Sequence, residues 1–333
     1  AGYAARARHA LASEATLNVV ADLEEQRNTF DATAYPMALV LTRRRASETH
    51  RVRTSLSLGE PARTRQAGLG GGAPWVLTAT DEMLCAGAQA PRLGDRFTPH
   101  LGVKTGANAL FLDPPPSVEP ALVRVSIRGR DVRPFAAIAG PRLLWPCDES
   151  GRPLARLPAG ARAHLAPLLP RLRARVDYGG GPPWTLFRTE AASAEHRVVW
   201  ADLARRLTAL ALTGPSDRNR IPLNTCYVLA MPDGESACRL AAWLNCSWIR
   251  AAARLGATVA SGGYARFCAA RIEALPLPDT VLADATLGEL ARAGAAGSSV
   301  QAELDHATAR HLALTPAARH ALAGVAGVAD DRR

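Results

Sequence analysis

Lysine is almost missing from this 333-residue chain: Lys104 stands alone among 40 basic residues, and the others are arginine. Aromatic residues are scarce as well, at 5%, while alanine is abundant, so helices must pack closely through small side chains. Six cysteines, at 85, 147, 226, 238, 246 and 268, form no C-x-x-C pair and have no nearby histidine at zinc-ligand spacing, which argues against a structural metal. Thiols scattered in this way fit a reducing compartment, and the expected location is cytoplasmic. No run approaches the ~20 apolar residues that span a bilayer, and the first residues carry no signal-peptide pattern, so no membrane role is expected.

What remains is positive charge. The formal net charge is +10 and the pI ≈ 10.0. Such a balance favours a polyanionic partner, nucleic acid before an anionic membrane surface. An arginine bias also follows from a GC-rich genome, so arginine count alone is weak evidence, whereas Lys104 becomes more noticeable. The length suffices for one large domain or two modest ones.

The most informative stretch runs from 101 to 135. LGVKTGANALFLD places Gly102 and Gly106 around Lys104 and Thr105, followed by Asn108. Glycines allow a tight turn and close approach to a partner, and the three polar residues supply a charge and donors at the turn. After Pro114–Pro116, a short strand is expected over 122–127, running into Arg128, Gly129, Arg130, Asp131 and Arg133. Planar guanidinium forks match phosphate or a guanine edge, and Asp131 is placed to orient one of them. Both spacings also occur on ordinary solvated edges, and the residues alone leave the two readings open.

Along the chain, residues 1–20 fit a basic amphipathic helix with Leu11, Leu17 and Val20 on one side, and a strand starts near 19–23. MALVL at 37–41 has the length of a buried strand. Residues 46–74, polar and then glycine-rich (GLGGG at 68–72), read as a connector rather than a phosphate cradle, because no strand precedes the glycines and Ala-Pro-Trp follows them. WVLTATDEMLCAGA (75–88) suits a strand end and a capped short helix. PRLLWP before 146 is a second strand, and 161–176 reads as a helix with solvated arginines. Further strands are expected at RVVWADL (197–203) and CYVLAM (226–231), and 238–254 has the spacing of a helix buried on one face, with Asn245 as a local hydrogen bonder. The polar loop 213–225, holding Arg218, Asn219 and Arg220, is the first candidate for base-edge contacts, because loops on a rigid sheet usually do the reading. A second glycine-plus-arginine turn joins Ser261–Gly263 to Tyr264 and Arg266. Residues 283–325 are alanine-rich and helical, and Thr315-Pro316 marks a helix start.

GVKTGANALF and IRGRDVRPF, followed in order by PPWTLFR, RVVWADL, IPLNTCYVLAM, AAWLNCSWIRAAAR, SGGYARFCAARIEALPLP and LDHATARHLALTPAAR, resemble the target recognition region of adenine-specific DNA methyltransferases of the fused restriction-modification and phage-exclusion types. The likeness extends over about two thirds of the chain. It implies a mixed α/β fold: a twisted mixed-sheet target recognition domain with a C-terminal helical tail, preceded by the last hairpin of a methyltransferase domain. The implied boundaries are 1–45 for the end of the catalytic domain, 46–74 for a linker, 75–280 for the recognition domain and 281–333 for the tail. Double-stranded DNA and an upstream methyltransferase domain are the implied partners. S-adenosylmethionine is the implied cofactor of the full-length enzyme, with none expected on this chain.

Gly181-Pro182-Pro183-Trp184 is one residue from the tetrapeptide with which amino-methyltransferases hold a flipped base, but Gly181 has no side chain to accept from the target amine. Asp113-Pro114-Pro115-Pro116 has the carboxylate without the aromatic. No catalytic residue is therefore expected here, and the catalytic half is expected to lie outside this chain. Lys104, Thr105 and Asn108 are the candidates for positioning the DNA backbone, and Arg128, Arg130 and Arg133 for phosphate or guanine contact. Arg218, Arg220 and Arg266 follow. A stand-alone specificity subunit and a nonspecific basic nucleic-acid-binding protein are the alternatives.

Overall fold

The structure is a computed structural model and describes residues 5–23, 37–56, 62–69, 75, 87–259 and 263–328. The fold is mixed α/β, in two compact units: Ala1–Ala88 with Ala313–Val325, and Gln89–Leu312 with Ala326–Arg333. The GLGGG run beyond Leu69 and most of the segment 75–88 lie outside the described residues.

In the first unit, helix α1 (Ala5–Glu14) precedes strands β1 (Thr16–Asp22), β2 (Met37–Thr42), β3 (Arg51–Leu56) and β4 (Ala62–Arg65), in the order β2-β1-β3-β4. β1 is antiparallel to β2 and parallel to β3, and β3 is antiparallel to β4. The helix expected over 1–20 stops at Glu14, because Thr16, Val19 and Val20 favour an extended backbone, and Leu17 and Val20 are core residues of β1. The side chain of buried Gln66 holds this junction. Its oxygen accepts from the Leu17 amide (2.8 Å), and its nitrogen donates to the carbonyls of Ala12 (2.8 Å) and Ala15 (2.6 Å). The expected connector 46–74 in fact contributes β3 and β4 to the sheet. In β3, Val52 and Thr54 are buried while Arg51 and Arg53 are exposed, an alternation of period two hidden by its arginines. β2, expected to be buried, is the edge strand, with Met37, Val40 and Leu41 exposed. Helix Pro316–Val328 starts where Thr315 accepts the Ala318 amide (3.1 Å), a side-chain cap of the expected kind.

The second unit carries strands β5 (His100–Leu101), β6 (Val123–Ile127), β7 (Val132–Arg133), β8 (Ala136–Ala137), β9 (Arg142–Leu144), β10 (His196–Ala201), β11 (Leu203–Ala204), β12 (Ala209–Leu212), β13 (Arg220–Pro222), β14 (Cys226–Met231), β15 (Thr258–Val259) and β16 (Ala265–Arg266). They form small sheets in the orders β12-β10-β14-β5, β13-β6-β9, β11-β16-β15 and β7-β8. The helices that matter below are α2 (Asn108–Phe111), α3 (Ala159–Leu165), α4 (Leu169–Arg173), α5 (Gly234–Asn245), α6 (Ser247–Leu255), α7 (Ala285–Ala295) and α8 (Gln301–His311). One core gathers Phe111, Leu143, Leu144, Trp145, Leu165 and Leu172; another gathers Ile127, Val199, Leu210, Cys226 and Val228.

Several helices differ from expectation for identifiable reasons. The helix expected over 161–176 is broken into α3, a 3-10 turn and α4, since Pro167 and Pro170 cannot donate to the carbonyl one turn back. The region 238–254 is two helices. α5 starts at Asp233, which accepts the Ser236 amide (2.7 Å), and buries Ala237, Leu240, Ala241 and Leu244. α6 starts afresh at Ser247, whose amide (2.7 Å) and hydroxyl (2.6 Å) donate to the Asp305 carboxylate. Asn245 at the junction accepts from the Ala209 amide (3.1 Å) and donates to its carbonyl (2.7 Å), fastening the helix to β12. The tail does not begin a separate body at 281, because α7 packs on α5 and α8 on α6 within this unit. No helix among the described residues is long and apolar enough to cross a membrane.

Asp284 caps α7 and ties it to α8, accepting from Thr286 (2.9 Å), Arg310 (2.8 Å) and His311 (2.9 Å). Burial raises this carboxyl, but the bonds from Arg310, His311 and Thr286 outweigh it and lower the pKa to about 2. The folded value lies below the ordinary ~3.9, so the stabilisation is complete above about pH 4 and is lost as pH falls towards about 2. With Arg310 exposed and the pair partly screened, it is worth about 1–2 kcal/mol. Urea unfolding followed from pH 6 to pH 2 should therefore show a steeper acid loss in the native chain than in Asp284→Asn, by about that amount.

Candidate nucleic-acid interface

Four strand ends meet at one place in the second unit. β6 and β13 run parallel, with Ile127 opposite Pro222, so Arg128 and Leu223 emerge side by side. β10 and β14 are antiparallel, with Ala201 opposite Cys226, which brings Asp202 to the same point. Backbone and side-chain bonds lock the junction: Leu223 donates to Ile127 (2.8 Å), Asp202 to the Thr225 carbonyl (3.0 Å), and the Gly129 amide to the Thr225 hydroxyl (2.9 Å). Gly129 is required by this approach, since a Cβ there would lie 2.7 Å from the Thr225 carbonyl oxygen and 3.3 Å from the Ala201 Cβ.

The arginines here are aimed by carboxylates. Arg128 forks onto Asp131, with Nε 2.8 Å from one oxygen and a terminal nitrogen 3.0 Å from the other, and its own amide donates to the same group (2.9 Å). Burial pushes the Asp131 carboxyl up, but these bonds more than offset it, so the net shift is downward and the group stays ionised. The orientation expected of Asp131 is therefore present, and it engages Arg128 inside the turn instead of presenting it outward. Arg130, at the tip, is exposed, and among the described residues no hydrogen bond or ion pair holds its guanidinium. Arg133 is exposed too and donates to the carbonyls of Arg130 (2.8 Å) and Val132 (2.9 Å). Arg266 on β16 forks onto Asp202, at 3.1 and 2.9 Å to the same oxygen, and keeps its outer edge in solvent.

The Lys104 turn adjoins the same junction, since the Asn224 amide donates to the Val103 carbonyl (2.9 Å). Its polar residues, however, serve the fold. Lys104 pairs with Asp177 (2.6 Å) and exchanges two backbone bonds with Phe187. Thr105 is buried, donating to Asn108 Oδ1 (2.6 Å) and accepting from the Ala107 amide (3.1 Å) at the start of α2. Thr105 is corrected to a structural residue on this ground, while Asn108 stays on the surface. Beneath the turn, buried Arg175 lies between the rings of Phe111 (5.4 Å) and Phe187 (4.9 Å). It donates to the carbonyls of Leu172, Thr105 and Pro183 (3.0, 2.5 and 2.7 Å). Nothing in the sequence separates this arginine from its many neighbours.

The loop first favoured for base-edge contacts closes on itself. Asp217 accepts the Thr213 (3.0 Å) and Gly214 (3.1 Å) amides and faces Arg220 (3.4 Å), which also donates to the Ala137 carbonyl (2.9 Å). Arg220 is thus a structural residue at the opposite end of β13 from the junction. Arg218 stays exposed and pairs with exposed Glu195 (2.6 Å), a surface bridge weak enough to open. Arg197, fully buried, bonds the carbonyls of Ala192, Arg220 and Asp217 below this loop. Burial depresses its pKa to about 10.

The residues nearest to an amino-methyltransferase tetrapeptide are engaged within the fold. Trp184 packs against the core and donates to the Leu154 carbonyl (2.9 Å), and Asp113 Oδ1 accepts the Arg142 amide (3.0 Å).

Among solved structures, the chain is similar to the type IIG restriction endonuclease BpuSI, with a TM-score of 0.51 and 12% identity over 100% of this chain and 45% of that one. It is also similar to the type IIL restriction-modification enzyme MmeI, solved in complex with DNA, with a TM-score of 0.52 and 13% identity over 96% of this chain and 44% of that one. The chain spans less than half the length of either. No protein-family model and no curated protein matches.

Gly129→Ala forces the Arg128–Asp131 turn away from Thr225 and should cost about 1–3 kcal/mol. Thermal unfolding compared with the native chain measures it.

Proposed function

We propose that this chain is the DNA-recognition part of a site-specific adenine-N6 DNA methyltransferase of the restriction-modification or phage-defence kind. The observation that carries the reading is the junction of β6, β10, β13 and β14, where exposed Arg130 and Arg266 stand on a bonded scaffold beside the Lys104 turn. The fold shared with two restriction-modification enzymes, one of them solved on DNA, supports it, as does the net charge of +10.

Double-stranded DNA is the partner. Arg130 and Arg133 meet phosphates, and Asn108 and Arg218 add contacts at the margins. Arg266, its fork oriented by Asp202, is placed to read a base edge, since bidentate donors discriminate guanine in the major groove. S-adenosylmethionine serves the whole enzyme as methyl donor. It belongs to a catalytic half outside these residues, on the same or a separate polypeptide, and the complex works in the cytoplasm.

Selection from a random DNA pool at two salt concentrations, with sequencing of the retained fraction and a methyl-transfer assay alongside, tests this reading. One short enriched motif without methylation is expected. A steep salt dependence with no motif would reduce the chain to a nonspecific basic domain, and methylation by this chain alone would overturn the division of labour. Arg130→Ala should weaken binding to all sequences alike and lower the salt slope by about 1, whereas Arg266→Ala should relax one position of the motif.

A further inference from the structure

On the small sheet β11-β16-β15, the face that carries Arg266 also shows solvent side chains that recognition of a paired duplex leaves unused. Leu203 is opposite Arg266 and Ala204 opposite Ala265, so the next cross-strand pair on the Leu203 face is Arg205 with Tyr264. The alternation is sharp: Ala265 is fully buried, while Leu203 is 49% and Tyr264 39% exposed. The Arg205 guanidinium lies over the Tyr264 ring, 5.6 Å from its centre. Leucine, tyrosine and two arginines therefore share one outward face.

The face is also anchored on both sides. Arg254 on α6 donates to the Gly263 carbonyl (2.9 Å) immediately before Tyr264. On the other side, buried Phe267 donates its amide to the Asp202 carbonyl (2.7 Å). Asp202 in turn is bonded to Thr225 at the junction that carries Arg130. The aromatic face is thus joined by hydrogen bonds to the arginine cluster.

Resting on the DNA-binding reading above, we infer that Tyr264 and Arg205 form a stacking platform for an unpaired base of the bound DNA. In a duplex, each base offers its flat faces only to its stacked neighbours. An exposed tyrosine ring topped by a planar cation finds its complement only where a base has left the stack. Arg130 and Arg133 hold the adjoining phosphates, as in the reading above, and Leu203 covers the apolar edge of the base. No hydrogen-bond pattern is imposed, so the platform accepts any base.

The test uses the whole chain with a fully paired duplex and with the same duplex carrying a short central bubble that contains 2-aminopurine. The bubble should bind about tenfold more tightly, the equivalent of about 1.4 kcal/mol, and the 2-aminopurine fluorescence should fall as the base stacks. Tyr264→Ala should bring the bubble-to-duplex ratio to about one and abolish the fluorescence change, while Tyr264→Trp should retain both. Equal affinity of the native chain for the two DNAs, or a ratio unchanged in Tyr264→Ala, would overturn the platform and leave duplex recognition standing. Failure to bind either DNA would overturn both.

Discussion

A guanidinium can hold a fold together or meet a polyanion, and the proposed interface depends on how each arginine divides its five donors between the two. At the junction of strand ends, Asp131 takes the whole fork of Arg128, while Asp202 takes one side of Arg266 and leaves the other in water. Arg130, in the same turn as Asp131, has no side-chain partner among the described residues. The result is a graded set: one arginine shaping the turn, one aimed outward, one exposed at the tip. For the proposed binding, carboxylates lower the conformational cost while trimming the net charge that drives encounter.

The same division explains what the sequence made legible. Strands with plain apolar content, such as CYVLAM and the segment ending at Ile127, lie where their pattern places them, because nothing competes with burial there. β3 escaped notice because its exposed positions are arginines and its buried ones include a threonine. The broken helix at α3 and α4 was written in Pro167 and Pro170, whose effect on the carbonyl ladder outweighed the helical spacing around them.

Within the proposed interface, the turn residues 128–131 and Arg266 stand out in the sequence as glycine-arginine patterns. The carboxylates that orient them were visible only in part: Asp131 lies three residues away in sequence, whereas Asp202 lies 64 residues from Arg266 and meets it only through pairing of β11 with β16. Thr105 and Arg220 looked like binding residues because their type and loop position suited binding. Their actual roles follow from partners brought in by the fold, Asn108 at the start of a helix and the Ala137 carbonyl of a hairpin.

Arg197 and Arg175 carry a consequence for how this chain can evolve. Each is buried and bonded to three backbone carbonyls that diverge in one plane, an internal hydration shell shaped for a flat cation. A lysine ammonium is compact and tetrahedral and reaches no such spread of acceptors. Codon drift from lysine to arginine, harmless on the surface, becomes a ratchet at these positions: once the carbonyls have settled around a guanidinium, a return to lysine would strand at least one of them. At these two positions lysine is excluded by the protein's own interior, whatever the base composition of the genome that encodes it.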